Sequence, residues 1–434
     1  MIEIKRWHYL FTMVHSGKIL IVGGGASGVI SAIALRKSGF KAEQLEIAEP
    51  RELLGEGLAY QTRDPHHRLN VPSSRMSAFE ELPNDFMEWS NVPAYSFLER
   101  GTYGTYLRNR LGEGVNHIRA IVTDLVEGSN GGVRATFSSG ESKNYAAVIL
   151  TMGHGKARMP DFLHDIPESS RIIRDIWDGS SLPESRTLLC FGTGLSFIDI
   201  ALAHLSRDGR NKVIAISGSG NLPERHVQFP ITPFTPTVEE VSTLPKLREY
   251  LASAGDMWRE AVDGLRPITE AMWQKFSTEE RAEFLVVDGS WWSRRRHRIA
   301  PEVADQVEAE IKSGRLTLVK GKVVRVSAGE QHVDLELENG KTYSGDYLAI
   351  TIGRVYELTD PLTMNLLMVG KTSRGPLGMG LAVDVSTGLL LRVDGTSYPQ
   401  IYAIGPLRSG EAFESTAIPE IRKQCSALAK RMSA

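Results

Sequence analysis

Twice in this chain a short apolar run breaks into closely spaced glycines and then into a helix-like stretch. Lys18-Ile-Leu-Ile-Val22 leads into Gly23-Gly-Gly25-Ala-Ser-Gly28 and an alanine-rich segment reaching Ser38. Thr187-Leu-Leu-Cys-Phe191 leads into Gly192-Thr-Gly194-Leu-Ser-Phe197 and then Ile198–Leu205. Both read as strand, tight turn, helix. The downstream segments match as well: the alternating stretch His117–Gly153 ends in Ala147-Val-Ile-Leu-Thr-Met-Gly153, and Leu316–Gly353 ends in Tyr347-Leu-Ala-Ile-Thr-Ile-Gly353. Two matched pairs in the same order predict an internal duplication. The expected fold class is α/β, with two Rossmann-like dinucleotide-binding domains.

The spacing of the glycines says what such turns accept. In Gly-x-Gly-x-x-Gly the first glycine makes the bend, the second lets a pyrophosphate reach bare backbone, and the third brings helix and strand together. The helix N-terminus then offers unpaired N–H groups and the positive end of its dipole. Gly23, Gly25 and Gly28 fill all three places, with Ala26 and Ser27 between them. Glu49 closes the next strand, Gln44–Ala48, where a carboxylate accepts ribose hydroxyls. A solvated carboxylate at a strand end is the plainer alternative.

The second turn keeps Gly192, Gly194 and Ser196 but puts Phe197 at the third glycine. That spacing fits a looser pyrophosphate site or a purely structural turn. After the following strand, Val213–Ile216, stands Ser217-Gly-Ser-Gly220, without the basic residues that would mark a 2′-phosphate. NADH and NADPH stay undecided.

Residues 238–312 read as a helical insertion. Leu244, Leu247 and Leu251 share a helical face, and Ser277 with Glu280 has capping-box spacing. Pro301 opens a helix carrying Val303, Val307 and Ile311 that Gly314 ends. Four of the seven tryptophans (Trp258, Trp273, Trp291, Trp292) fall here, as an aromatic core or as a wall over a planar substrate. At about 150 residues per domain, 434 residues allow two or three units. The expected division is an extension over 1–16, a flavin-type domain over 17–165 and 360–434, and a nicotinamide-type domain over 185–353.

Bulk composition excludes several classes. A net charge of -2 gives no general attraction to nucleic acid or an anionic membrane. No run reaches the roughly 20 apolar residues of a membrane span, and the short run Tyr9–Val14 lacks a signal-peptide cleavage site. Met13 is an alternative start. Cys190 and Cys425 are the two cysteines and form no CxxC, so zinc-ribbon and redox-dithiol readings fall away. This favours a reducing, cytoplasmic setting. His66, His67 and His154 lack metal-ligand spacing, and no metal site is expected.

The chain also resembles a bacterial family of two-dinucleotide-domain FAD/NAD(P)-binding proteins that includes a flavin-dependent urate hydroxylase. The resemblance spans nearly everything after Ser16. It rests on Gly57-Leu-Ala-Tyr60, Leu69-Asn-Val-Pro72 with Met76-Ser-Ala78, and Tyr103-Gly-Thr-Tyr-Leu-Arg108. It continues in Arg296-His-Arg298-Ile-Ala-Pro301, Tyr402-Ala-Ile-Gly-Pro-Leu407 and Thr416-Ala-Ile-Pro-Glu-Ile-Arg422. The family commonly carries paired arginines where Ser217–Gly220 stand here.

The resemblance implies FAD at the first turn and NAD(P)H at the second. It places Asn70 and Met76 near the flavin, with Val122, Gly153 and His154 along the same ligand edge and Gly353 as the second-half counterpart of Gly153. It puts Gly405, Pro406 and Leu407 where many flavoproteins have Gly-Asp, so backbone groups must replace the missing aspartate. Ala417 and Ile418 would open a helix whose N-terminal amides stabilise negative charge at the reduced flavin's N1/O2 edge. Arg294-Arg-Arg-His-Arg298 is the densest charge cluster. It reads as a solvated basic face, or as an anion clamp in which Arg296 and Arg298 bind and His297 moves a proton.

The function implied is an FAD-dependent, NAD(P)H-using monooxygenase, with O2 as co-substrate and a small N-heterocyclic or anionic substrate. The alternatives are a flavin dehydrogenase or oxidase that ignores NAD(P)H, and a non-enzymatic nucleotide-binding sensor.

Overall fold

The computed structural model describes residues 17–128, 131–155, 159–164, 166, 169–177, 182–353 and 358–434. The expected extension at 1–16 lies outside them. The two halves of the duplication build two parallel sheets of the same design. In the first, β1 (Ile19–Val22) pairs in parallel with β2 (Leu45–Ala48), and β2 with β3 (Asn116–Ile118). An antiparallel meander comes next, β4 (Val122–Glu127), β5 (Val133–Phe137) and β6 (Ser142–Tyr145), before β7 (Ala147–Leu150) returns beside β1.

The second half repeats this. After the two-residue strand β8 (Ile172–Ile173), β9 (Thr187–Phe191) pairs with β10 (Lys212–Ser217), and β10 with β11 (Leu316–Lys320). The meander β12 (Val323–Ala328), β13 (Val333–Leu337), β14 (Thr342–Gly345) precedes β15 (Tyr347–Ile350), which returns beside β9.

The outer strands come from different places. The first sheet is completed late, by β17 (Ser397–Ala403) against β7 and β16 (Leu389–Leu391) against β17, giving the order β16-β17-β7-β1-β2-β3. The second is completed early by β8 against β15, giving β11-β10-β9-β15-β8. The strands β1 and β9, buried on both faces, therefore read as unbroken apolar runs. In each sheet the strand order reverses at the strand that feeds the glycine turn, the position where α/β folds bind ligands.

Packing joins the C-terminal helix to the first one. The C-terminal helix Ile418–Ser433 lies along Ala26–Lys37, and Ile421, Cys425, Leu428 and Met432 share one core with Ile19, Ile30 and Ile33. Between β10 and β11 stand the helices Leu244–Ser253, Trp258–Gly264, Thr269–Lys275, Thr278–Glu283, Gly289–Arg296 and Pro301–Lys312. Ser277 and Glu280 form the expected capping box, the Ser277 hydroxyl accepting from the Glu280 N–H at 3.1 Å and a Glu280 carboxylate oxygen from the Ser277 N–H at 2.9 Å.

The tryptophans take the core role more than the wall role. Trp273 stacks on Phe413 with centroids 4.5 Å apart and donates to the Gly410 carbonyl at 3.0 Å. Trp292 is also buried. The insertion thus grips residues 410–414, which lead into the C-terminal helix.

One device recurs in both halves. The Thr151 hydroxyl donates to the carbonyls of Val22 and Gly23, both at 2.8 Å, while that of Thr351 donates to Phe191 at 3.0 Å and Gly192 at 2.8 Å. Each threonine locks the end of one strand to the turn leaving its neighbour. Thr151→Val and Thr351→Val should each lower the unfolding free energy by about 1–3 kcal/mol, since a buried acceptor loses its donor. Urea titration measures this, and unchanged midpoints would mean the hydroxyls hold nothing.

Candidate functional site: two glycine turns and a buried arginine cluster

Gly23 sits at φ +101°, where an L side chain is strained, and a Cβ there would stand 2.7 Å from the Thr151 carbonyl oxygen. Gly192 repeats both features, with φ +111° and the Ile352 nitrogen at 2.8 Å. At Gly28 a Cβ would collide with the Gly23 carbonyl oxygen, so helix and strand meet as the third glycine requires. Phe197, in the matching place, is fully buried among Ile198, Ala201 and Val213. A Cβ at Gly194 would meet nothing within 4 Å.

Among the described residues no side chain caps either helix: Ala26–Lys37 starts from Gly25 and Leu195–Arg207 from Gly194, both in extended backbone. The first-turn amides and the positive dipole ends stay open to an anion. Beside the first turn, a cleft is lined by Arg51, Leu53, Glu56, Gly57 and Gln61.

Glu49 is buried and already engaged. One carboxylate oxygen accepts from the Gly24 N–H at 2.9 Å, and Arg51 spans both oxygens at 2.8 and 2.9 Å. Burial alone would raise this carboxyl; Arg51 and the Gly24 amide hold it below the usual range. At the second turn the Thr193 hydroxyl lies 2.9 Å from that of Ser217 and donates to the Asn221 carbonyl at 2.7 Å, folding the serine-glycine loop back over the turn.

The remaining expected cofactor residues divide between ligand edge and core. Val122, Met76 and Leu407 are buried in hydrophobic clusters, so only their backbones could face a ligand. The Asn70 carbonyl is 3.0 Å from His226 Nε2. Gly153 and Gly353 follow β7 and β15 with open space at Cα, and His154 continues that edge. Gly405 and Pro406 begin a 3-10 turn after β17, and the Gly405 N–H donates to Gln424 Oε1 at 2.8 Å. Ala417 is the N-cap of the helix beginning at Ile418, with no side-chain cap.

The solvated-face reading of residues 294–298 is overturned: all five are buried or half-buried. Arg298 pairs with Asp263, and Arg75 reaches the same carboxylate at 3.5 Å. Arg296 lies 3.3 Å from Glu420 and 3.8 Å from Glu414. Arg266 shares Glu420 at 3.2 Å. Glu414 further accepts from Trp292 Nε1 at 2.7 Å and meets His297 Nε2 at 3.3 Å.

Charge pairing offsets part of the cost of burying so many ions. Burial would raise the Glu414 carboxyl, but His297 and Arg296 hold it well below the usual range. Its backbone φ of +64° marks a constrained residue. Burial pushes His226 down to about 4, with nearby Arg298 adding to this.

Three elements thus converge: the Asn70–Met76 excursion, the helical insertion, and the first turn of the C-terminal helix. Sequence reasoning found Arg296, His297 and Arg298 but missed Arg75, Asp263, Arg266, Glu414 and Glu420. Glu420 lay inside a quoted motif; Asp263 carried no local signal, because only the fold brings it to Arg75 and Arg298. Among the described residues, no group of His, Cys, Asp and Glu is arranged to hold a metal ion.

Sheet order, matched turns and the late-closing first sheet define the class: a two-Rossmann flavoprotein architecture. Residues 20–155 match a protein-family model described as FAD-NAD(P)-binding. Among solved structures the chain is similar to an ornithine N-hydroxylase (KtzI) of Kutzneria sp. 744, at 16% identity and TM-score 0.61, covering 96% of this chain and 98% of that one. It is similar to the cadaverine monooxygenase DfoA of Erwinia amylovora, solved with FAD, at 12% identity and TM-score 0.63, covering 95% and 94%. The bacillithiol disulfide reductase Bdr of Staphylococcus aureus has the same fold, at 13% identity and TM-score 0.58, covering 96% and 97%. No curated protein matches the chain. No helix among the described residues is long and apolar enough to cross a membrane.

The Glu414 cluster carries a pH signature. A carboxyl depressed in the folded state stabilises above its unfolded value near 4.5, and that contribution is lost as pH falls. Glu414→Ala should cost about 3–5 kcal/mol at pH 7. Glu414→Gln should lower Tm at pH 7 yet lose less further stability on acidification below about pH 5 than the unaltered chain. Parallel Tm–pH curves would contradict this.

Proposed function

We propose that the chain is an FAD-dependent oxidoreductase that uses NAD(P)H and inserts oxygen from O2 into a small substrate, N-heterocyclic or anionic. The observation that carries this reading is the pair of uncapped glycine turns at matching switch points of one chain, with an arginine-rich cluster against the C-terminal helix. The proposed division is 17–165 with 360–434 for the flavin and 185–353 for the nicotinamide nucleotide. The family resemblance supports the urate-hydroxylase branch as the finer assignment.

FAD, when bound, supplies the electron-transfer and oxygen chemistry. The chain supplies placement. The amides of Gly25, Ala26, Ser27 and Gly28 meet the diphosphate, and Glu49 takes the ribose once Arg51 yields one oxygen. Gly153, His154, Gly405, Pro406 and Ala417 line the flavin edge, where the helix at Ile418 directs its positive end. Gly192, Gly194, Ser196 and Gly353 form the nicotinamide nucleotide's cradle. Arg296 and Arg298 fix charge around the substrate, and His297, whose Nε2 is held by Glu414, exchanges a proton at Nδ1.

Hydroxylation fits these residues better than the disulfide chemistry of the Staphylococcus aureus relative. Cys190 and Cys425 lie in different cores, and burial pushes both thiols up, Cys425 to about 12. A second reading, a flavin dehydrogenase or oxidase that does not use NAD(P)H, is favoured by Phe197 and the Ser217–Thr193 contact at the second turn.

Anaerobic mixing of FAD-loaded protein with NADH and NADPH separates the two. Bleaching of the flavin absorbance by at least one nucleotide is expected, followed, on admission of isotopically labelled O2, by one labelled atom in the product and the other in water. Absence of bleaching by both supports the second reading. Bleaching with all oxygen recovered as peroxide across a panel of small acids and N-heterocycles rules out oxygen insertion.

A further inference from the structure

The buried cluster does not balance. Four guanidinium groups, those of Arg75, Arg266, Arg296 and Arg298, face the three carboxylates of Asp263, Glu414 and Glu420. One positive charge is left over before His297 is counted. The deepest two, Arg296 and Arg298, have side chains only 5% and 2% exposed, and their Nε groups find no hydrogen-bond acceptor among the described residues. A buried cation with like charges around it is costly unless an anion completes the site.

The outer pair is weakly held as well. Arg75 touches Asp263 only at 3.5 Å and is 36% exposed. Arg266 reaches Glu420 through one nitrogen, at 3.2 and 3.5 Å. Burial pushes the Arg266 guanidinium down to about 10, and the nearby charges of Arg296 and Arg75 push the same way. Asp263 and Glu420 are each shared between two arginines, so neither satisfies its partners in full.

We propose that Arg75 and Arg266 form a carboxylate-binding subsite and that the substrate is a small organic monoacid anchored there, with Arg296 and Arg298 supplying the field behind it. The excess of positive charge calls for an anion, and the planar guanidinium fork matches the geometry of a carboxylate. Arg75 adjoins Met76, and Glu420 lies in the first turn of the helix that starts at Ile418, so the anchor stands between the two segments assigned to the flavin. The identity of the bound acid as substrate rests on the flavin reading; the subsite itself does not.

The test uses FAD-loaded full-length protein and three probes: benzoate, its neutral isostere benzamide, and inorganic phosphate, each followed by calorimetry and by the flavin spectrum. Benzoate should bind at least tenfold more tightly than benzamide and more tightly than phosphate. Arg266→Gln and Arg75→Gln should each weaken benzoate about tenfold or more, and Arg266→Lys, which keeps charge but loses the fork, should fall between. Equal affinity for acid and amide, no benzoate binding, preference for phosphate, or full benzoate affinity in Arg75→Gln would overturn the proposal. Arg75→Gln decides if the Arg266 variants do not fold, because Arg75 stands at the half-exposed edge. Failure to take up FAD, or to be reduced by any nicotinamide nucleotide, would instead strike the flavin reading, and calorimetry with benzoate keeps the two failures apart.

Discussion

A backbone that must turn through positive φ while pressed against a neighbouring strand is the constraint on which the rest of this molecule depends. At Gly23 the turn has no room for a side chain, and Thr151 ties the carbonyls on either side of the bend to β7. With the bend fixed, Ala26–Lys37 must start there, uncapped, with its amides facing outward at the sheet's switch point. The second half solves the problem in the same way with Gly192 and Thr351, then departs from it at Phe197. The two halves share the bend and its lock and differ at the third glycine position.

The second determinant is how the first sheet is closed. Because β17 and the C-terminal helix arrive after the whole second half, the helical insertion can reach across and hold the returning chain. Trp273 and Trp292 do this from the apolar side, through Phe413, Gly410 and Glu414. Arg266 and Arg296 do it from the charged side, through Glu420. The cluster that holds the C-terminal helix in place is also the one left with excess positive charge, so fold closure and ligand selection share residues.

Local periodicity made much of the fold legible. The glycine turns, the two Thr-x-Gly closures, the capping box at Ser277 and the helix opened by Pro301 are all determined within a few residues, and the structure has them where the spacing predicts. The charged cluster was only half legible. Arg296, His297 and Arg298 stood out as a run, but a run of like charges reads as a surface until its partners are known. Asp263, Glu414 and Glu420 are those partners, and two of them lie more than a hundred residues further along the chain. No sequence pattern signals that Glu414 would adopt left-handed backbone under an indole N–H. Val122 and Leu407 illustrate the converse, since side chains expected near a ligand turn into the core and leave only backbone for the role.

The oxidoreductase assignment stands on one proposed contact, the embrace of an FAD diphosphate by the amides that come after β1. Equilibrium titration of flavin-free protein with FAD, read by quenching of flavin fluorescence, tests it most directly. One nucleotide per chain should bind, and Gly28→Ala, which forces the helix away from the strand, should weaken uptake by at least tenfold. A purified protein that stays colourless and leaves added FAD free in solution would contradict that contact and the assignment with it.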